Sequence, residues 1–338
     1  MKAFVVERYG DADTVRAGDV PDPQVGDDDV LVRIRAASVN PLDLKTRGGD
    51  LKAILPYRVP FVLGNDLAGE VVAVGASVTR FAVGDEVYAR PNKNRIGTFA
   101  ELIGIHQDDV AAKPTTLTME EAASIPLVGL TSWQALVERA NLQPGQKVLV
   151  HAGSGGVGTI AIQLAKHLGA SVATTTSTAN IDLVRGLGAD VVIDYKKQAF
   201  ETILHDYDVV LDTLGGETLD KSLQVLKPGG KVISIAGPPD PAFAKELGVN
   251  PVVRLAMTAL SFRTRQRARR HHVTYEFLFM KASGDQLREV TSLIDAGKIR
   301  PVVDRIFAFE STREALAYVE GGRAKAGKVV VRMKPVLT

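Results

Sequence analysis

One glycine cluster, Gly153-Ser154-Gly155-Gly156-Val157-Gly158, constrains this chain more than any other feature. It follows the apolar run Lys147–His151. It opens the segment Thr159–Leu168, whose apolar residues recur at helical spacing up to Gly169. A second apolar run, Ser171–Thr175, comes directly after. Strand, glycine turn, helix and strand make a βαβ unit, and in that setting G-x-G-x-x-G points to a dinucleotide. Gly153 permits the tight turn, Gly155 lets the backbone approach a pyrophosphate, and Gly158 lets the helix pack close to the sheet. The free N–H groups and positive dipole end of the helix, at about Val157, then face the phosphates. Short apolar runs continue at Val191–Ile193, Asp208–Leu211 and Lys231–Ala236. Their alternation with helical segments implies a parallel sheet with helices on both faces.

The end of the second strand selects between dinucleotides. An NAD site places Asp or Glu there, about 20 residues past the glycines, to hold the ribose 2′-hydroxyl. Here the strand ends Thr174-Thr175-Thr176-Ser177-Thr178-Ala179-Asn180, and the first carboxylate is Asp182. A carboxylate repels a 2′-phosphate, whereas hydroxyls and an amide hydrogen-bond to it. The expected cofactor is NADPH. No arginine stands in the segment itself; the nearest is Arg185.

The flanks have a different rhythm. Up to about residue 125, runs such as Val30–Ala36, Glu70–Val74 and Glu86–Ala89 are broken by Gly, Pro and Asp, as in a β-rich, barrel-like domain. Toward the C-terminus, Tyr275–Met280 reads as a strand, Gln286–Ala296 as a helix and Val302–Phe309 as a strand. Arg313–Val319 reads as a helix and Lys328–Arg332 as a closing strand. A length of 338 residues suits two domains. The formal net charge is only +2, so no nucleic-acid partner is expected. The basic run Arg263–His272 has a plain reading as a solvated helix face or loop, and an alternative as a phosphate or nucleic-acid patch. The absence of cysteine excludes disulfides and thiolate metal sites. Met1–Val6 is too short for a signal-peptide core. No apolar run approaches the ~20 residues that span a bilayer. The expectation is a cytoplasmic chain without a membrane partner.

Six segments, in order, resemble the medium-chain dehydrogenase/reductase superfamily. Val62–Val71 resembles its G-x-E/D-x-x-G-x-V, Phe81–Val87 its F-x-x-G-D-x-V, and Gly97–Glu101 its G-x-x-A-E. Ala122–Thr131 resembles A-A-x-x-P-x-x-x-x-T, and Gly153–Gly158 has the family's G-x-G-G-V-G form. Gly322–Val330 resembles the G-R-A-x-G-K-V-V ending of the quinone reductase and alkenal reductase branch. The resemblance covers essentially the whole chain. It implies an α/β fold of two parts. Residues 1–125 and 282–338 form a GroES-like β-rich catalytic domain, and residues 126–281 form a Rossmann, doubly wound parallel-sheet domain that binds NADPH. Cofactor and substrate meet in the cleft. The last Rossmann strand, Val273–Met280, pairs with its twin in a homodimer. It has no Pro and one interior charge, Glu276, so nothing blunts that edge.

The same resemblance marks Asn40 and Asp43, in Asn40-Pro41-Leu42-Asp43, as catalytic candidates, with Asn40 also beside the nicotinamide; a structural turn is the alternative. Thr131 is expected near the nicotinamide ribose. Gly153, Ser154, Gly155, Gly156, Val157 and Gly158 are expected around the pyrophosphate, and Ala236 and Gly237 beside the nicotinamide. Thr176, Ser177, Asn180, Tyr195 and Arg323 are candidates for the adenosine 2′-phosphate. Zinc-dependent members have Cys at the position of Asn40 and His at that of Asn65. Amides are poor zinc ligands, so no metal is expected, and alcohol oxidation loses its Lewis acid. Hydride transfer from NADPH to a quinone or an enone remains, because such small molecules need only positioning and a few hydrogen-bond donors. The alternatives are an enoyl reductase of a biosynthetic pathway, and a noncatalytic NADPH-binding redox sensor or structural protein. Quinone reductases often carry Tyr just after this segment, where this chain has Lys45-Thr46-Arg47, which leaves the substrate class open. Tyr57, Phe61, Phe262 and Phe279 are pocket candidates. His151 is read as structural, with a proton role as the alternative.

Overall fold

The computed structural model describes residues 1–52 and 54–334. The chain forms two compact units, one from Met1–Leu130 with the segment from Lys281 onward, the other from Thr131–Met280.

The first unit is built on β1 (Lys2–Val6), β2 (Val15–Asp19), β3 (Asp29–Val39), β4 (Phe61–Val62), β5 (Asp66–Val74), β6 (Glu86–Ala89), β7 (Leu102–His106) and β8 (Val110–Ala112). The long strand β3 is its spine and pairs antiparallel with both β5 and β7. Val30, Val32 and Ile34 alternate inward along it and are buried with Phe4, Leu67, Val87 and Phe99. From Ala36 to Val39 every residue is buried, so the second half of β3 is covered on both faces. Gly69 makes the β3–β5 approach possible, because a Cβ there would lie 2.2 Å from the Arg33 carbonyl oxygen.

The second unit carries β9 (Lys147–Val150), β10 (Ser171–Thr176), β11 (Val191–Asp194), β12 (Tyr207–Asp212), β13 (Leu226–Ser234) and β14 (Thr274–Phe277). They form a six-stranded sheet in the order β11-β10-β9-β12-β13-β14, and every pair is parallel. This is the doubly wound order, with the strand direction of travel reversing between β9 and β12, where such sheets bind ligands. The apolar runs that suggested strands are here, with residues 148–150 and 172–176 buried on both faces.

Two expectations change. The strand expected over Val273–Met280 ends at Phe277. The Asp240 carboxylate accepts from the Phe277 N–H at 3.2 Å, and the next N–H, of Leu278, closes on Ser234 at 2.8 Å. Leu278 and Met280 then turn inward and are buried, so they are not part of an open edge. Second, β13 begins at Leu226, ahead of Lys231, and absorbs Pro228-Gly229-Gly230 through a register shift against β12. The basic run forms a helix, Phe262–Arg270, with Ala268 as its buried contact.

The chain then returns to the first unit as β15 (Val303–Ala308) and β16 (Lys328–Arg332). β16 pairs antiparallel with the buried half of β3, with Val329 opposite Val39. That pairing puts Lys328 beside the residues that follow β3.

His151, at the end of β9, is fully buried. The Ser222 hydroxyl donates to the Thr218 carbonyl, so His151 Nε2–H donates to Ser222 Oγ at 2.8 Å. Nδ1 is then the acceptor for Thr175 Oγ1 at 3.1 Å, and the ring meets Phe200 edge-on at 4.7 Å. Both nitrogens are satisfied in the neutral ring, which is a structural role. Burial lowers its pKa to about 4. Between about pH 6.5 and 4 the unfolded chain therefore holds a proton here that the folded chain does not, and stability falls as pH falls. In denaturant titrations across this window, His151→Gln is expected to remove about one proton from the pH slope of unfolding. An unchanged slope would refute the neutral buried state.

Candidate functional site

In the second unit the glycine turn joins β9 to the helix Gly156–His167. A Cβ on Gly153 would lie 2.0 Å from Thr174 Oγ1, and one on Gly158 would lie 2.3 Å from the Ala152 carbonyl oxygen. Both glycines are therefore demanded by packing. Gly155 differs, since a Cβ there would meet only the Ala152 carbonyl, at 3.2 Å. It caps the helix Gly156–His167, and Ser154, Gly155, Gly156 and Val157 remain half-buried at its start. Bare backbone at the N-terminus of a three-turn helix, on the switch point of the sheet, fits a pyrophosphate.

Ser154 gathers the neighbouring groups. Its Oγ accepts from Thr176 Oγ1 at 3.0 Å and from Asn180 Nδ2 at 3.1 Å, and Asn180 also reaches Ser177 Oγ at 3.5 Å. Tyr195 joins this end of the sheet through its N–H to the Thr176 carbonyl and leaves its ring 60% exposed. Thr176 is buried, and its hydroxyl donates to Ser154. Arg323 belongs to the first unit, with its guanidinium 5.2 Å from the Tyr318 ring centroid. Lys196 and Lys197 were overlooked, although Asp194-Tyr195-Lys196-Lys197 is plain in the sequence. Asp194 accepts from Thr178 Oγ1 at 2.5 Å, which holds its carboxyl below the usual range, and Lys197 Nζ stands 3.6 Å away. The Asp194 carboxylate is thus engaged internally, and two exposed lysines follow Tyr195.

Ala236 and Gly237 follow β13. Their N–H groups point to Ser234 Oγ at 3.3 and 2.8 Å, and a Cβ on Gly237 would lie 2.6 Å from the Tyr275 hydroxyl. Thr131 is buried in the helix Pro126–Trp133, whose next residue, Ser132, donates to the Val157 carbonyl at 3.4 Å.

In the first unit, Asp66 organises a buried polar cluster. Its Oδ2 accepts from Ser38 Oγ and Asn40 Nδ2, each at 2.8 Å, and from Lys328 Nζ at 3.2 Å; its Oδ1 accepts from the Leu127 N–H at 2.7 Å. Lys328 Nζ also donates to Asn40 Oδ1. Asp43 accepts from the Asn40 N–H at 2.7 Å and from Asn65 Nδ2 at 2.7 Å. All of these side chains are buried. Asn40 N-caps the helix Pro41–Gly48 and Asp43 reaches back to that cap, so both side chains make hydrogen bonds within this cluster. Burial raises Asp43 to about 6, with the Asp66 charge adding to the shift.

Sequence reasoning also passed over Arg90. It follows β6 and is 1% exposed, yet its Nε and Nη2 have no hydrogen-bond partner among the described residues; Asn65 Oδ1 and Thr98 Oγ1 share that condition. Burial lowers the Arg90 pKa, opposed by the charges of Tyr57, Asp66, Asp109 and Asp43. Tyr57 is half-buried, donates to the Lys93 carbonyl at 2.5 Å, and stacks with Phe61 at 5.2 Å. Of the other pocket candidates, Phe279 lies 6.0 Å from Phe243, and Phe262 is exposed.

Because Lys328 is the cation in hydrogen-bond contact with Asp66, Lys328→Met is expected to destabilise the chain by about 3–5 kcal/mol in denaturant titration. Adding Asp66→Asn should recover part of that loss, because the Asp66 charge is then no longer left without Lys328. Additive losses would show the pair to be uncoupled.

Known proteins agree with this architecture. A family model described as alcohol dehydrogenase GroES-like domain matches residues 26–115, and one described as zinc-binding dehydrogenase matches residues 187–331. The chain is 36% identical over 357 residues to the NAD(P)H oxidoreductase RTN4IP1, mitochondrial, of Danio rerio, covering 98% of this chain and 91% of that protein. It is 37% identical over 342 residues to the NADPH-dependent alkenal/one oxidoreductase, chloroplastic, of Arabidopsis thaliana, covering 98% and 79%. The solved quinone oxidoreductase from Coxiella burnetii superposes with a TM-score of 0.86 at 30% identity and covers 99% of both chains. The chain belongs to the medium-chain dehydrogenase/reductase superfamily, among the quinone and alkenal/one oxidoreductases.

Proposed function

We propose that this chain binds NADPH and transfers hydride to a quinone or an α,β-unsaturated carbonyl, without zinc. The observation that carries the cofactor choice is the end of β10. Ser154, Ser177 and Asn180 present hydroxyls and an amide there, Lys196 and Lys197 lie alongside, and the Asp194 carboxylate is engaged by Thr178. Such a set attracts a 2′-phosphate, whereas an NAD site needs a free carboxylate. The resemblance to the alkenal/one and quinone oxidoreductases supports the acceptor class.

When bound, NADPH supplies the hydride. The residues of this chain hold and orient. Gly155 and the helix start offer backbone to the pyrophosphate, and Ala236-Gly237 offer a side-chain-poor stretch to the nicotinamide. The first unit contributes electrostatics: Arg90 is a buried cation whose Nε and Nη2 have no partner among the described residues, and such a charge stabilises negative charge developing on an acceptor oxygen. At the two positions where zinc-dependent relatives ligate metal, Asn40 and Asn65 donate from their amides to Asp66 and Asp43, and this donor set suits no zinc ion. We further assign a homodimer to the exposed edge of β14, whose far side pairs with β13.

Cofactor fluorescence titration is expected to show NADPH bound at least about tenfold more tightly than NADH, a difference of ~1.4 kcal/mol. Ser177→Asp should narrow or reverse the gap; equal affinity in the unaltered chain would refute the cofactor choice. Turnover with NADPH over a panel of quinones and alkenals should give activity that chelators leave unchanged. Activity confined to enoyl thioesters would shift the substrate class, and loss of activity on chelation would overturn the zinc-free reading.

A further inference from the structure

The helix Pro251–Leu260 turns its apolar side to water. Positions 252, 255, 256, 259 and 260 share one face at i, i+3, i+4, i+7, i+8 spacing, and they are Val, Leu, Ala, Ala and Leu. All five are exposed, with Val252 at 77%, Leu255 at 70% and Leu260 at 66%; within this helix only Met257 is buried. Stripes of this spacing ordinarily face a core. Phe262, which opens the next helix, is 55% exposed and extends the apolar surface.

The charge beside that stripe is of one sign. The helix Phe262–Arg270 carries Arg263, Arg265, Arg267, Arg269 and Arg270, His271 and His272 follow, and Arg254 sits on the first helix. No Asp or Glu occurs from Pro251 to His272. The whole chain has a net charge of only +2, so this is a local concentration. Arg267 is paired with Asp220, and Arg265 donates to Ser261 and Thr258. Arg254, Arg263, Arg269 and Arg270 stand exposed.

We propose that these two helices dock on an anionic lipid bilayer, lying in its interface. Val252, Leu255, Leu260 and Phe262 enter below the headgroups, and Arg263, Arg269 and Arg270 of the second helix meet lipid phosphates. Ten residues of helix, about 15 Å, are too short to cross the hydrocarbon, so the mode is surface docking. The expectation of a chain without a membrane partner came from the lack of a spanning segment, a criterion that does not apply to a helix lying flat. Two other occupants fit less well. A second copy joined through the stripe would bring two arginine-rich, acid-free segments together. A nucleic acid would engage the arginines and leave the apolar stripe uncovered. The inference does not rest on the assignment of the reaction.

The test is co-sedimentation of the full chain with vesicles of phosphatidylcholine alone or with added phosphatidylglycerol. Binding to the phosphatidylglycerol vesicles is expected to be at least about tenfold stronger and to weaken as salt rises. Leu255→Ser/Leu260→Ser and Arg263→Ser/Arg269→Ser/Arg270→Ser should each abolish most of it while NADPH oxidation and thermal midpoint stay unchanged. No pelleting, equal pelleting with neutral vesicles, or undiminished binding by either variant would overturn the proposal. A fall in molecular mass of the leucine variant in light scattering, without any vesicle binding by the unaltered chain, would assign the stripe to a second copy instead.

Discussion

The Asp66 carboxylate is the point on which the first unit turns. A fully buried carboxylate is tolerated only when its lone pairs are filled and its charge is offset. Its partners here come from four places in the chain: Ser38 on β3, Asn40 at the start of a helix, the Leu127 backbone and Lys328 on β16. Satisfying one charge therefore fixes the end of β3, the entry to the helix Pro41–Gly48 and the seat of β16. Asp43 extends the same logic, tying the helix cap to Asn65 next to Asp66. The amide side chains of Asn40 and Asn65 belong to this cluster and donate to Asp66 and Asp43.

The second unit depends on close approach more than on charge. Gly153 and Gly158 have no room for a Cβ, because the helix Gly156–His167 crosses directly over the turn and β10 lies beneath it. That contact leaves Gly155 and its neighbours as bare backbone at a helix N-terminus. Ser154 is then held by Thr176 and Asn180, so the groups around the second strand are preorganised before any ligand arrives. Preorganisation of this kind reduces the ordering cost of binding a flexible dinucleotide.

Arg90 and His151 show opposite solutions to burial. His151 stays neutral and gives each ring nitrogen a partner. Arg90 keeps its charge among three carboxylates, yet Nε and Nη2 go unpartnered among the described residues.

Local pattern determined a great deal by itself. The spacing of Gly153, Gly155 and Gly158 between two apolar runs, the alternation along Val30–Ala36 and the lack of an acid after Thr176 are properties of neighbouring residues, and they sufficed for the parallel sheet, the β-rich unit and the cofactor turn. The family resemblance carried the rest of the architecture. Tertiary structure alone decided how side chains are used. Asp66 and Lys328 lie 262 positions apart and meet because β16 pairs with β3. Thr176 hydrogen-bonds to Ser154, and Asn40 to Asp66 and Lys328. The strand after Val273 stops where Asp240 captures its backbone. In Pro251–Leu260 the periodicity announces an apolar stripe, but only the fold turns that stripe outward. Periodicity and turn chemistry act over a few residues and can be read along the chain. Desolvation, hydrogen-bond satisfaction and the direction of a face depend on what else occupies the surrounding volume, and that is set by contacts between distant segments.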